Sequence, residues 1–291
     1  VRRLPEEIVF IETDERMVTY IACGKVNYQI VGMSSVEYPD LPSFEQTDRI
    51  TLNAKILRDM IRQTVYAVSE NTAKPIYTGS LYEIEDGVFK IIAIDGYRMA
   101  IRSENVDSES KNRFVVPGKT QHEVLKLLTD DEENTEIIIG QRHITFKIKN
   151  YRIISRLIEG TFIEYKSAIP KETKTEVVIN TRTIIDAVER MSLLNNDRIQ
   201  SPVRCIFSDD EIKLSCTSAV GRANDVISVP IIGESVEIGF NNRYLLDALK
   251  NADTDEIKLI LNGSLTAMIV KPVKGDSYLS IVVPMRLANE N

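Results

Sequence analysis

Four segments of the chain share one design: a short β-rich stretch, one or two cap-like residues, and then an amphipathic helix. They lie roughly sixty residues apart and read RITLNAKILRDMIRQTVYAV, RFVVPGKTQHEVLKLLTD, EVVINTRTIIDAVERMSLL and VEIGFNNRYLLDALKNAD. An internal repeat limits the fold more strongly than any single motif, because every copy must form the same local structure. We therefore expect a molecule built from equivalent units.

Strands are predicted to follow each helix. Period-two alternation of apolar and polar residues, with tight turns between the runs, is typical of half-buried antiparallel sheet. Asp86-Gly87 and Asp209-Asp210 each predict a two-residue hairpin turn between such runs. The unit is therefore a strand, a helix and about three further strands. The first forty residues match only the strand section of a unit, so the chain is predicted to begin inside a repeat.

Two adjacent units give a domain of about 120 residues, which is an ordinary size. Clusters of turn-forming residues from Pro39 to Asp48 and from Tyr165 to Thr175 predict the joints between domains. We therefore divide the chain into half a domain at residues 1–44 and two whole domains at 45–169 and 170–291. The predicted fold class is α+β.

The composition is that of a globular protein. Hydrophobic residues make up 43% and charged residues 27%, and no window approaches the ~20 consecutive apolar residues of a membrane span. Cys23, Cys205 and Cys216 are odd in number and lack CxxC spacing, which argues against a disulfide framework and for a reducing cytoplasm. Cys205 and Cys216 flank one hairpin and are interpreted as core residues. No leader follows Val1, so no secretion signal is predicted.

Candidate catalytic residues are few. His122 lies in a helical pattern and His143 in a strand pattern, and neither has a Cys, Asp or Glu partner at metal-ligand spacing. The acidic run from Thr129 to Asn134 lacks the spacing of a calcium-binding loop and is interpreted as a solvated loop. GxSxG, HExxH and a phosphate-binding glycine loop do not occur. We therefore predict a protein that is not an enzyme and uses no metal or cofactor.

Basic residues recur on the predicted helices, although the net charge of the chain is −7. Lys55, Arg58 and Arg62 are spaced i, i+3 and i+7 and therefore share one helix face. The other three predicted helices carry the pattern with two basic residues each: Lys119 and Lys126, Arg182 and Arg190, and Arg243 and Lys250. A single charged helix face is usually only solvated. Four equivalent faces side by side would instead form one surface suited to a phosphate backbone and indifferent to base sequence.

Four motifs extend this interpretation: AIDGYRMA (Ala93 to Ala100), EGTFIEYKSAIP (Glu159 to Pro170), EIGFNNRYLLDAL (Glu237 to Leu249) and the terminal VVPMRL. In this order and spacing they resemble the bacterial sliding clamp family, the β subunits of DNA polymerase III, over essentially the whole chain. The resemblance implies the DNA-clamp fold, with two strand-helix-strand units per domain, helices on one side and antiparallel sheets on the other. It also implies a homodimeric ring whose helices line the hole.

The resemblance further implies a hydrophobic cleft into which partner proteins insert a short linear peptide. Met99 and Met285 would make its pocket adaptable, because methionine repacks easily. Arg98 and Arg286 would bind polar or terminal groups of the peptide. The implied cleft residues are Tyr77, Ile94, Gly96, Tyr97, Arg98, Met99, Ile163, Asn241, Tyr244, Leu265, Ile281, Val282, Val283, Pro284, Met285 and Arg286. The alternative is that these residues only complete sheet edges and cores.

Two other surfaces are implied by the resemblance. The DNA-facing residues are Lys55, Arg58, Arg62, Lys74, Lys119, Lys126, Arg182, Arg243 and Lys250. The dimer interface pairs Tyr28 and Ile30 of one protomer with Leu193 and Leu194 of the other. The sequence departs from the family pattern at Ile163 and Ser167, where the family often has a proline and a basic residue, and at Pro75 and Ile76, where aromatic residues can occur.

Together these observations predict a cytoplasmic DNA polymerase processivity factor, a sliding clamp that encircles duplex DNA. Its predicted partners are double-stranded DNA, the polymerase catalytic subunit, the clamp loader and repair proteins, with no membrane. One alternative is a repeat-built protein-interaction scaffold without DNA binding. Another is an enzyme that binds a small anion at Tyr97, Arg98 and Tyr244, although no acid-base or nucleophile pair accompanies them.

Overall fold

A computed structural model describes residues 2–38, 46–129, 133–195 and 201–287. The chain forms two compact units, residues 1–43 and residues 44–291. Two sequence predictions lie partly outside the described residues: the first domain joint, from Pro39 to Asp48, and the acidic loop, from Thr129 to Asn134.

The first unit is a three-stranded antiparallel sheet. Its strands are β1 (Phe10–Thr13), β2 (Val18–Cys23) and β3 (Val26–Val31), in that spatial order. The tight turn between β2 and β3 uses Gly24 at a φ of +55°, a conformation that favours glycine. The side chains of Tyr28 and Ile30 on the edge strand β3 are about half exposed. The prediction that this region contains the strand section of a unit is confirmed.

The second unit repeats a strand, a helix and three strands four times, as predicted. The first copy is β4 (Gln46–Asn53), α1 (Ala54–Val65), β5 (Gly79–Glu85), β6 (Val88–Ile94) and β7 (Arg98–Asn105). The second is β8 (Asn112–Pro117), α2 (Gly118–Leu127), β9 (Asn134–Gly140), β10 (His143–Ile148) and β11 (Tyr151–Arg156). The third is β12 (Thr175–Asn180), α3 (Thr181–Ser192), β13 (Val203–Ser208), β14 (Glu211–Ser218) and β15 (Gly221–Ser228). After the short β16 (Ile231–Gly233), the fourth is β17 (Val236–Phe240), α4 (Asn242–Lys250), β18 (Glu256–Leu261), β19 (Met268–Pro272) and β20 (Tyr278–Val282).

Local signals determine where the helices begin and where the hairpins turn. The side-chain oxygens of Asn53, Asn180 and Asn241 accept hydrogen bonds from backbone N–H groups in the first turns of α1, α3 and α4. The two predicted hairpin turns are confirmed. Asp86-Gly87 and Asp209-Asp210 all have positive φ angles, from 52° to 74°, as a two-residue turn of type I′ requires.

The largest sheet joins the first and last copies of the repeat. It contains nine strands in the order β16, β12, β18, β19, β20, β7, β6, β5, β8, and β20 pairs antiparallel with β7. Two four-stranded sheets, β11-β10-β9-β4 and β15-β14-β13-β17, complete the unit. The nine-stranded sheet therefore continues across the predicted boundary between residues 169 and 170. That boundary stays a prediction.

The helices bury one face against these sheets. α1 packs beside α2, and α3 beside α4. Leu57, Met60 and Ile61 of α1 belong to one apolar core, and the unpaired Cys205 and Cys216 belong to another, as predicted for core cysteines. The predicted α+β class is confirmed. Among the described helices, none has the length and apolarity needed to cross a membrane.

Candidate functional site

A cavity of about 650 Å³ lies where the loop after α1, the turn between β6 and β7 and the start of α4 come together. Seven of the predicted cleft residues line it: Tyr77, Ile94, Gly96, Tyr97, Arg98, Ile163 and Tyr244. A second cavity, of about 590 Å³ beside β8, contains none of the predicted site residues. The fold thus brings widely separated parts of the chain to one concave surface.

The C-terminal segment is attached next to this cavity. The backbone N–H of Val283 donates to the carbonyl oxygen of Tyr97 at 2.9 Å, and the N–H of Met285 donates to Gly239 at 2.8 Å. The predicted cleft residues 283–286 are exposed or half-buried, and they adjoin the cavity without lining it. The backbone of the tail therefore continues the surface formed by the β6–β7 turn.

Four predicted cleft residues lie elsewhere. Met99 and Ile281 are opposite each other on β7 and β20 and are buried with Phe162 in an apolar cluster. Val282 is buried in the adjoining core. These side chains support the cleft from within and do not reach its surface. Leu265, in contrast, is 82% exposed in the loop between β18 and β19.

Arg98 is surrounded by protein groups and only 7% exposed. Its Nε donates to Oδ2 of Asp95 at 3.0 Å, and its Nη1 donates to a carboxylate oxygen of Asp247 on α4. The guanidinium carbon lies 4.6 Å from the ring centre of Tyr244 and 5.4 Å from that of Tyr66. The sequence interpretation assigned Arg98 to the peptide. In the structure, the charge of Arg98 is paired with carboxylates of the protein, and its guanidinium contacts aromatic rings of the protein.

Tyr66 connects this cluster to the last strand. Its hydroxyl lies 3.0 Å from the hydroxyl of Tyr278 and 2.9 Å from that of Ser280, both on β20. Ser280 also donates to the carbonyl oxygen of Met99 on β7 at 3.2 Å. Burial raises the pKa of the Tyr66 hydroxyl to about 12, so this group stays protonated and neutral at physiological pH.

Tyr97 and Tyr244 form an aromatic wall of the cavity. Their rings are stacked, with centroids 5.7 Å apart and an interplanar angle of 18°. Tyr97 is 60% exposed, so this wall is open to solvent. Asn241, predicted to contact the peptide, uses its side-chain oxygen to cap α4, accepting from the N–H groups of Arg243 and Tyr244 at 3.0 and 3.3 Å. This cap holds the backbone that carries Tyr244.

Comparison with known proteins gives the family. Residues 51–164 match the model of the central domain of the DNA polymerase III beta subunit, and residues 166–286 match the model of its C-terminal domain. The chain belongs to the DNA polymerase III beta subunit family. The predicted resemblance is confirmed.

Relatives of this beta subunit are sliding clamps. The chain is 32% identical to the beta sliding clamp of Halalkalibacterium halodurans, over 98% of this chain and 77% of that protein. The crystal structure of the sliding clamp of Bacillus subtilis matches with a TM-score of 0.95 at 31% identity, over 99% of this chain and 77% of that one. A Pseudomonas aeruginosa sliding clamp bound to griselimycin matches with a TM-score of 0.93 at 25% identity, over 98% and 78% of the two chains.

Most of the cations assigned to the DNA-facing surface of this beta subunit are paired with carboxylates. The pairs are Arg62 with Asp253, Lys126 with Glu123, Arg182 with Asp186, Arg243 with Glu70 and Lys250 with Glu189, at 2.5 to 3.7 Å. Arg58 also has an interaction partner. Lys55 and Lys119 are exposed and form no ion pair within the described residues. Lys74 lines the cavity, as does Arg243, so these two lie with the cleft residues.

The residues assigned to the beta-subunit dimer interface lie on a strand edge and at a helix end. Tyr28 and Ile30, with Ile21, line a small cavity of about 210 Å³ in the first unit. Leu193 directly follows α3 as its C-cap and is 83% exposed, and Leu194 is the next residue. Their assignment to an interface stays a prediction.

Three residues beside the cleft of this beta subunit were not predicted from the sequence: Tyr66, Asp95 and Asp247. Asp95 precedes Arg98 by three residues within AIDGYRMA, and that spacing was a usable signal for a local ion pair. Asp247 lies between Arg243 and Lys250 on α4. Its contact with Arg98 joins distant parts of the chain, which neither periodicity nor motif spacing can show.

Proposed function

We propose that this beta subunit is a DNA polymerase processivity factor that encircles duplex DNA as a homodimeric ring. It tethers the polymerase catalytic subunit, the clamp loader and repair proteins through the cleft, and it is itself non-catalytic. The observation that carries the proposal is the 650 Å³ cavity formed by the predicted cleft residues in a member of this family. Tethering raises the effective concentration of polymerase at the primer end, so a moderate peptide affinity is sufficient.

The cavity suits an apolar or aromatic side chain of a peptide. Its volume is within the range of about 300 to 1,000 Å³ that is typical of ligand pockets. Tyr77, Ile94 and Ile163 supply apolar surface, and the Tyr97–Tyr244 wall supplies an exposed aromatic face. Aromatic anchors of this kind commonly contribute most of the binding energy in peptide recognition.

The DNA contacts are proposed to be weak and sequence-independent. Lys55 and Lys119 are exposed on α1 and α2 and are available to phosphate groups. The paired cations bind phosphate only by exchanging a carboxylate partner, which lowers their contribution. Weak, salt-dependent contacts are compatible with sliding. The alternative of a scaffold without DNA binding is not favoured, because the relatives are sliding clamps. Reversal of the helix charges separates the two functions experimentally.

The internal repeat supports a specific joint between two copies of the chain. By position in the repeat, β3 corresponds to β20 and β15 corresponds to β7, and β20 pairs antiparallel with β7. Both β3 and β15 are terminal strands of their sheets. We expect β3 of one protomer to pair with β15 of its partner in the same way. Leu194 lies beside Gly221 at the start of β15, which would bring it close to Tyr28 and Ile30 of the other copy.

The ring is tested by its topology on DNA. Protein loaded by its clamp loader onto a nicked circular plasmid should stay bound through gel filtration and should leave when the circle is cut once. Ile30→Asp should abolish retention, because it places a charge in the proposed strand joint, whereas Val36→Asp, at a residue 90% exposed outside β3, should not. Equal retention on circular and linear DNA would contradict the ring.

The cleft is tested with a synthetic peptide that carries the clamp-binding segment of a replicative polymerase. Tyr97→Ala should raise the dissociation constant of the peptide by about thirtyfold, as measured by calorimetry. This change corresponds to the ~2 kcal/mol that is typical of an aromatic hot spot. Tyr151→Ala on β11 is the matched control, because Tyr151 has the same 60% exposure outside the cavity. An unchanged affinity of the Tyr97 variant would remove this wall from the binding site.

We also propose that the protein acts in the cytoplasm, where chromosomal DNA is replicated. Cys23, Cys205 and Cys216 are all free and buried. Unpaired thiols are typical of proteins that work in a reducing compartment.

A further inference from the structure

We infer that Arg98 and Asp247 are positioning residues of the cleft, which hold its aromatic wall in place, and that Arg98 does not bind the peptide. The inference rests on the proposed peptide-binding function and specifies how this site works. It also specifies the ligand: the peptide group that lies against this part of the cleft is apolar or neutral, not acidic.

The single positive charge of Arg98 faces two carboxylates, Asp95 within the same turn and Asp247 on α4. Asp95 is nearly as buried as Arg98, with side-chain exposures of 10% and 7%. Lys74 and Arg243 also line the cavity, but an acidic group that approached Arg98 itself would meet one cation flanked by two carboxylates. Such an approach is unfavourable where water provides little screening.

Little of the Arg98 side chain is accessible to a ligand. A guanidinium group can donate in its own plane and can stack through its two faces. In Arg98, Nε and Nη1 donate to the two carboxylates, and the aromatic rings of Tyr66 and Tyr244 have their centres within 5.4 Å of the guanidinium carbon. With an exposure of 7%, little of the side chain remains for a ligand.

The ion pair between Arg98 and Asp247 lies beside the aromatic wall. Asp247 and Tyr244 lie one turn apart on α4, so both face Arg98 from the same helix side. Arg98 itself begins β7 and is one residue from Tyr97, whose ring stacks on Tyr244. The ion pair to Asp247 thus joins α4 to β7 at the point where the wall is formed. Losing it frees the start of α4 to move relative to the β6–β7 turn.

The test uses Asp247→Ala and the synthetic polymerase peptide. Asp247 is partly exposed on a helix and alanine is a strong helix former, so the variant is expected to fold. We expect its peptide dissociation constant to rise at least tenfold, although Arg98 is retained and loses a competing carboxylate. Asp186→Ala is the matched control, because Asp186 is a half-buried helix carboxylate in an ion pair with Arg182. The affinity of this variant for the peptide should be unchanged.

Arg98→Lys gives an independent readout. Lysine keeps the positive charge but lacks the planar group that bridges two carboxylates and stacks on two rings. If Arg98 positions the wall, Arg98→Lys should not preserve affinity, and the double variant with Asp247→Ala should bind no worse than the weaker single variant. Circular dichroism and thermal unfolding are measured in parallel, because a purely structural role would change stability and leave the affinity of the folded protein unaltered.

The outcomes separate the inference from the function on which it rests. Peptide binding by the unaltered protein together with equal or tighter binding by Asp247→Ala would overturn the positioning role. A second result would also overturn the positioning role. In that result, replacing an acidic peptide residue with its amide lowers the affinity of the unaltered protein but not that of Arg98→Lys. Failure of the unaltered protein to bind the peptide would overturn the proposed cleft itself.

Discussion

Arg98→Ala is expected to lower the free energy of unfolding by about 3 to 5 kcal/mol, the usual cost of removing one partner from a buried ion pair. The loss is large because two carboxylates, Asp95 and Asp247, are left close together without their shared cation. The stacking of Tyr66 and Tyr244 on the guanidinium is lost as well. Urea denaturation followed by circular dichroism measures the change.

Arg62→Ala provides the control for this stability measurement. Arg62 also bridges two carboxylates, Asp59 and Asp253, but its side chain is 35% exposed. Exposed ion pairs usually contribute about 1 kcal/mol or less, so the control should be close to the unaltered protein. A loss below about 1 kcal/mol for Arg98→Ala would mean that water replaces the guanidinium, and the cluster would then have no large structural role.

Reversing two charges, Lys55→Glu and Lys119→Glu, is expected to weaken association with duplex DNA by about a hundredfold at low salt. At about 5 Å in a water-like dielectric, each lysine attracts a phosphate by ~0.8 kcal/mol, and reversal replaces this attraction with a similar repulsion. The plot of log affinity against log salt should become shallower by about 2, since each lost phosphate contact removes about 0.9 from its slope. Fluorescence anisotropy with a labelled duplex measures both quantities.

The same change in net charge at loop positions serves as the control. Lys171→Glu and Lys274→Glu alter two exposed lysines that lie outside the four helices. This pair should lower DNA affinity much less, because only the helix lysines are proposed to face the phosphates. If both double variants lose affinity equally, the general charge of the protein governs binding and no DNA-facing surface exists. If neither loses affinity, the scaffold function is favoured.

The repeating architecture was predictable because its signals are local. Asn53, Asn180 and Asn241 are caps that act within three residues, and Asp86-Gly87 acts within a single turn. Apolar periodicity then separates helix from strand without any knowledge of tertiary contacts. The order of elements in all four copies follows from these short-range rules.

The details of the candidate site were less predictable, because they depend on which residues meet in space. Motif position placed Arg98 in the cleft but did not show that Asp247 neutralises it. Basic periodicity found Lys250 and Arg182 but not the carboxylates that pair with them from neighbouring turns or helices. Gly239 went unnoticed, although a Cβ atom there would lie 2.6 Å from a side-chain carbon of Leu287 and would displace the tail.

The pairing of β20 with β7 has a consequence for synthesis of the chain. The two strands lie about 180 residues apart, so at about 5 to 20 residues per second β20 leaves the ribosome about 10 to 35 s after β7. During this interval the nascent β5–β8 segment presents an unpaired strand edge, on which strands of other chains readily add. Ribosomes that stall or terminate before Tyr278 would release chains with that edge permanently open. Quality control of this protein is therefore expected to depend on the synthesis of β20.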